Sequence, residues 1–494
     1  MADSQKLEFY YKRLTDLCLH HGVMALMGWD MNVCMPPGGA PARAEQIRYM
    51  SLRSHELVTD PEFANVVDEL YERIDSLSED DRISVKFTKK ALDKARKLPP
   101  DFVAESAKTR ALSHDAWVKA RPANDFAAVK PFLEKMVEQA RKRSELWGYE
   151  EHPYDALLDC YDIGARLSVV KPLLVELGEE LRALTPRIAA KFDGLEELKG
   201  PFDQATQNRL CSRIAESLGF DFRNGRLDVS PHPFSTTFGP NDFRITTRYN
   251  DNDFLGSLYG VMHETGHALY EMGLPEEYLT RPPLGDWMSS SIHESQSRLW
   301  ENQVGRSREF AGYLCGVLED FFPSVADLGP DALWMHVNRV QPSLIRTEAD
   351  EVTYSLHIVI RMLLEEQLIA GTLAVADLPE AWGDMYEKYL GVRSPDDKNG
   401  VMQDTHWFGG GFGYFPTYAL GNLYNAMMMD TAREAIGDLS GQIERGEFAA
   451  LSGWLRENVH SQGARYLAPE LIRHITGKDL SAKPFVEYLK RKFA

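Results

Sequence analysis

Cysteine is scarce in this 494-residue chain: five residues, at 18, 34, 160, 211 and 315, odd in number and without a C-x-x-C pair. That count excludes a disulfide framework and a cysteine metal cage, and reads as reduced, mostly buried thiols. Long apolar runs are missing as well. No stretch of 18 or more apolar residues is present to span a bilayer. The opening MADSQKLEFYYKR has neither the apolar core of a secretory signal nor the Arg-rich, acid-poor make-up of a transit peptide, so the cytoplasm is the expected location. There is no basic excess either. Fifty-five Lys and Arg face 74 Asp and Glu, a net charge of −19 that repels phosphate backbones and anionic lipid, so neither nucleic acid nor a membrane is an expected partner. What the chain does have is 44% apolar residues and 11% aromatics, enough to build a substantial core and to exclude disorder.

The chain also lacks the alternation of strand and helix that builds parallel α/β sheets. From about 5 to 220 it reads as successive amphipathic helices, as in FAAVKPFLEKMVEQARKRSELW (126–147), where apolar residues recur three and four apart. MPPGGAP (35–41), LPPD (98–101), RPAND (121–125) and Gly200-Pro201 read as helix connections. Between 226 and 249 the texture turns β-branched and aromatic, and the alternation Phe243, Ile245, Thr247, Tyr249 predicts a small strand pair. Helical texture then resumes, broken at 391–400 and at the glycine-rich 409–416. The fold expected is mainly α: one domain over 1–494, a helical half to about 220 and a catalytic half from about 221, with a small β-sheet beside a long cleft.

One motif carries chemistry. In HETGH (263–267), at about 100° per helical residue, His263, Glu264 and His267 share one face. Two imidazoles one turn apart can grip a metal ion, and Glu264 is placed to take a proton from the attacking water of a metallopeptidase. Accident is a poor explanation, because roughly 0.03 occurrences are expected by chance in a chain of this composition. A catalytic site of this kind needs a third protein ligand. Glu271 shares the face but lies about 12 Å along the axis from His263. The ligand must therefore come from another element. The helix is expected to end near Gly273 and the next to begin with Asp286 as its cap, presenting His293, Glu294 and Glu301. Glu294 is the choice, although spacing alone leaves Glu301 open. His293 is read as a support for a ligand or as a substrate-side group.

Taken together, WDMNVCMPPGGAPARAEQ (29–46), SPHPF (230–234), DFRITTRY (242–249), HETGH, IHESQSRLWEN (292–302), IRTEAD (345–350) and GVMQDTHW (400–407) resemble the signatures of the carboxypeptidase Taq family of metallocarboxypeptidases. That family is similar in fold to neurolysin and angiotensin-converting enzyme. The resemblance implies release of single amino acids from peptide C-termini with broad preference, a Zn²⁺ or Co²⁺ ion held by His263, His267 and Glu294, Glu264 as base and then acid, and a homodimer.

A carboxypeptidase needs a cation for the substrate carboxylate, and Arg346 is the candidate, the alternative being a surface pair with Asp350. His406 and Tyr418 are candidate donors to the oxyanion, with Tyr414 competing with Tyr418 and core packing as the alternative for either. DFRITTRY could offer a strand edge to an extended peptide, with Arg244 positioning it, or could be a packed strand with Arg244 in a structural ion pair. His232 is either a donor on the carboxylate side or a turn residue between prolines. The glycine run at 409–413 lacks the Lys and Ser/Thr of a phosphate loop. Two rivals stand beside the carboxypeptidase: an oligoendopeptidase of similar fold, and a non-catalytic peptide- or metal-binding protein, against which the intact Glu264 argues.

Overall fold

The computed structural model describes residues 3–279, 281–287 and 289–494. Among them, nine α-helices precede the sheet, from Asp3–Val33 to Gln204–Leu218. Their breaks fall at the connections expected from proline and glycine. Helix Pro100–Ala123, for instance, ends on Asn124 in the left-handed conformation, and Asp125 caps the next helix by accepting from the Ala128 amide. In that next helix, Phe126–Trp147, the side chains of Phe126, Val129, Leu133, Met136, Val137 and Ala140 are buried, which is the face the three-and-four spacing marks.

Three strands form where a pair was expected. β3 (Phe243–Thr247) is central, with β1 (Gly225–Val229) parallel to it on one side and β2 (Ser235–Thr237) antiparallel on the other. Leu227 and Ser235 both register on Ile245. Alternation marks a strand but does not count its partners, and the parallel pairing joins segments too distant for a local pattern to show. The sheet packs on helix Phe254–Met272, which carries HETGH and is capped by Asp253 on the Gly256 amide.

Apolar packing is divided unevenly. Tyr10, Leu14, Phe63, Val67, Leu70, Val85 and Leu92 make a small core among the first four helices, whereas one continuous core runs from Ala120 to Phe493. The two are tied by polar contacts. Lys90 and Lys94 of helix Glu79–Arg96 both pair with Asp159, at 2.5 and 2.6 Å, and Ser84 donates to the Pro282 carbonyl. Of the five thiols only Cys211 and Cys315 are buried, and Cys34 and Cys160 lie exposed just past helix ends, which corrects the expectation of mostly buried cysteines. No helix among the described residues is long and apolar enough to cross a membrane.

Candidate active site

Helix Phe254–Met272 runs through the core, so most of its surface is buried. It can lie close to helix Ser290–Arg298 because Gly266 stands at the crossing. A Cβ there would come within 2.6 Å of the Gln296 carbonyl oxygen and of the Ser297 Cα. On the other side, Gly421 of helix Pro416–Ile436 leaves room for the Glu294 side chain, whose Cγ would lie 2.9 Å from an added Cβ. The helix that carries Glu294 starts later than expected. Ser289, not Asp286, is its cap, accepting from the Ile292 amide, and buried Asp162 accepts from Ser289 and Ser291 in turn. That contact spans 127 residues, so no local signal points to it. Gly266→Ala should therefore separate the two helices and lower metal affinity at least ~10-fold, since small displacements of the ligand frame cost this much. Titration of the metal-free variant with Zn²⁺ checks it, and unchanged affinity would show that the crossing yields.

His263 and His267 turn their Nε2 atoms to the same carboxylate oxygen of Glu294, at 3.6 and 3.4 Å. Ligands set tetrahedrally at about 2.0–2.2 Å from one ion stand roughly 3.3–3.5 Å apart, so these donors fit a single divalent ion. Each imidazole is held from behind. His263 donates from Nδ1 to Glu301 at 2.9 Å. The Nδ1 of His267 meets that of His293 at 2.6 Å, and His293 Nε2 donates to Glu271 at 2.9 Å. Read from the Glu271 carboxylate inward, this relay places the His267 proton on Nδ1 and leaves its Nε2 lone pair for the metal. Glu301 and His293 thus stand behind the triad, and Glu271, too distant to be a ligand, closes the relay.

Arg298 bridges Glu294 and Glu301 at 2.9 and 3.1 Å. Burial opposes the charge on Glu294, yet His263 and Arg298 outweigh it and hold the carboxyl well below the usual range. Glu264 has the opposite balance. Burial, with Glu294 and Glu301 nearby, pushes it up to about 7, the range in which a group can both accept and return a proton.

Beyond Arg298 lies the Tyr354 ring, 4.0 Å from its guanidinium, and beyond that Arg346, whose Nη1 donates to the Tyr354 hydroxyl at 3.0 Å. Arg346 does not pair with Asp350, which instead caps the following turn at Thr353. Its fork is bound to Asp404 through Nε and Nη2, at 3.1 and 2.8 Å. Arg361, fully buried, binds the other edge of the same carboxylate at 2.7 Å. Two guanidinium groups against one carboxylate leave one positive charge in excess. His406, 3.4 Å from the Tyr418 hydroxyl, feels it: burial, then Arg346, lower the imidazole to about 4, so it is neutral at pH 7. Tyr414 and Tyr418 stand edge to face 5.2 Å apart, and burial first of all holds both hydroxyls above the ordinary tyrosine range.

Two expected substrate contacts look different in place. β3 is bonded on both sides, so DFRITTRY has no free edge, and the sheet's edges belong to β1 and β2. Arg244 pairs with Asp242 at 2.8 Å and lies between the rings of Trp29 and Phe238, as the structural alternative had it. His232 is exposed in its proline turn, its Nδ1 2.9 Å from the Pro233 carbonyl oxygen. Asp404, Arg361 and Asp162 were missed. Only Asp404 had a signal, as the acid beside His406 in GVMQDTHW. A separate cavity of about 610 Å³ is lined by Lys90, Lys94, Trp147 and Asp159. None of the site residues described above lines it, and two of its five lysines, Lys90 and Lys94, are already paired with Asp159.

The sequence matches the model of the carboxypeptidase Taq (M32) metallopeptidases over residues 9–493. This chain belongs to that family. Among carboxypeptidase Taq relatives, the thermostable carboxypeptidase 1 of Thermus thermophilus is 40% identical, over 95% of this chain and 94% of its own length. Carboxypeptidase 1 of Bacillus subtilis is 36% identical over 98% and 97%. The crystal structure of the M32 carboxypeptidase from Deinococcus radiodurans superposes with a TM-score of 0.94 at 37% identity, covering 99% of both chains. The helical fold with its small sheet is therefore the carboxypeptidase Taq fold, and the chain is a metallocarboxypeptidase that takes a divalent metal.

Proposed function

We propose that this carboxypeptidase Taq enzyme removes single residues from free peptide C-termini, with His263, His267 and Glu294 holding one Zn²⁺ or Co²⁺ ion, a donor set suited to either. When bound, the ion supplies Lewis-acid polarisation of the scissile carbonyl and acidifies water. Glu264 takes the proton of the attacking water and returns it to the leaving amine, as its raised affinity for protons permits. Neutral His406, with Tyr418 or Tyr414, donates to the oxyanion. The observation that carries the choice of peptide end is the uncompensated positive charge of Arg346 and Arg361 on Asp404, joined to the metal ligands through Tyr354 and Arg298. A substrate carboxylate neutralises that charge, whereas an internal peptide bond brings none.

Timed digests of one peptide with a free and with an amidated C-terminus test this. The amide should be cut at least ~100-fold more slowly, the order expected when a buried charge is left unpaired. Chelator should abolish cleavage, and Zn²⁺ or Co²⁺ restore it. Equal rates on both peptides would favour the oligoendopeptidase, and metal binding without turnover the non-catalytic protein. We further place the enzyme in the cytoplasm as a homodimer on family likeness. Five free thiols accord with a reducing compartment, and exposed Leu19, Val23, Leu26, Tyr49 and Leu52 on the first two helices offer an apolar face to a second copy.

A further inference from the structure

Glu365 lies one helical turn beyond Arg361 on helix Tyr354–Ala370 and is fully buried. Its carboxylate collects three donors from two distant segments. Trp407 Nε1 donates to Oε1 at 2.6 Å. The Tyr154 hydroxyl donates to Oε2 at 2.5 Å and the Gly413 amide to the same oxygen at 2.9 Å. Trp407 and Gly413 bracket the glycine run that separates His406 from Tyr414 and Tyr418. Four glycines in five residues (409–413) provide few side chains to fix that run by packing. Gly413 has φ +87°, and a Cβ there would lie 2.7 Å from the Leu157 carbonyl carbon, so backbone sits directly on backbone. The direction of the run is set by polar anchors instead, with Arg361 holding Asp404 and Gln403 before it and Glu365 holding both its ends.

We propose that Glu365 is a positioning residue for the hydrolytic step, fixing His406 against Tyr414 and Tyr418 by binding Trp407 and Gly413 at once. The indole N–H and the amide N–H can only donate, and they fall on different carboxyl oxygens. A carboxyl group serves both whether ionised or protonated towards Tyr154. A carboxamide cannot, because whichever way it turns its NH₂ faces one of those donors. Burial pushes Glu365 up to about 7, and the three donors oppose that shift. The proposal rests on the assignment of His406 to substrate, and the test keeps the two apart.

Glu365→Gln, His406→Ala and the double variant would be measured for kcat, KM and bound metal. The expected result is a ~10- to 100-fold loss of kcat in E365Q with one metal still bound, the scale of a misplacement of about 1 Å. In the His406→Ala background the same substitution should cost less than ~3-fold, since a residue acting through His406 has little left to disturb. A general structural role would give equal losses in both backgrounds, and that result overturns the proposal, as does E365Q activity within ~2-fold of the parent. An unimpaired His406→Ala would instead sink the His406 assignment and the proposal with it. Should E365Q not fold, Trp407→Phe, which removes one donor and keeps the carboxylate, is taken through the same cycle, with the same non-additivity expected.

Discussion

Replacing Glu264 with glutamine should lower kcat by about 10²–10⁴ while metal content and KM change little. Glutamine keeps the size and the acceptor oxygen of the side chain but cannot take up a proton. The buried carboxyl that stands at about 7 is in balance between its two forms near neutral pH, which is what a group needs to accept a proton from water and hand it to an amine. Because Glu264 is not among the three side chains proposed to hold the ion, its loss leaves that donor set intact. Steady-state kinetics with metal analysis on the same preparation decides the matter. A glutamine variant retaining more than about a tenth of parental kcat would remove Glu264 from the proton transfers.

The second large effect is on stability. Asp404→Asn should destabilise the fold by about 3–5 kcal/mol, since it leaves Arg346 and Arg361 buried without a counter-charge. That is a sizeable share of the 5–15 kcal/mol typical of whole domains. Burial opposes the Asp404 charge, but Arg361 and Arg346 overwhelm it and hold the carboxyl far below the ordinary range. A depressed carboxyl contributes stability that is present above its unfolded pKa, near 3.9, and is lost as pH falls towards the folded value. The deficit of the variant should thus be constant from neutrality down to about pH 5 and begin to close below about pH 4. Denaturant titrations of metal-loaded protein across that range measure it. An asparagine variant as stable as the parent at pH 7 would mean that the two guanidinium groups find other partners, and the excess charge assigned to substrate recognition would need another origin.

Much of the architecture was legible because its causes are local. Helix breaks lie where proline, glycine and Asp caps stand, and the apolar stripe of residues 126–147 faces the core as its spacing requires. The one-turn spacing of His263 and His267 was enough to foresee that the two imidazoles share a helix face, and in the fold both Nε2 atoms approach one oxygen of Glu294. Arg244 was not decidable in this way. Whether a strand has a free edge depends on its partners, and β3 has two. Nor was Asp350 a wrong residue type to offer Arg346. The segment forms a single 3₁₀ turn, so the one-turn pairing assumed for a longer helix does not form, and Arg346 reaches Asp404 instead.

By itself, then, the sequence put two imidazoles and a carboxyl on one helix face and offered two acids of a later helix, Glu294 and Glu301, as candidates to complete the set. Tertiary structure alone decided what stands behind those groups. Glu301, His293 and Glu271 orient the imidazoles, Asp162 starts the helix of Glu294, and Asp404 gathers two arginines into one excess charge. The reason is physical. Helical periodicity brings residues three and four apart onto one face and is written in the chain, whereas a buried charge takes as partner whichever group the packed core brings within about 3 Å, here at separations from 22 to 129 residues that no local pattern encodes.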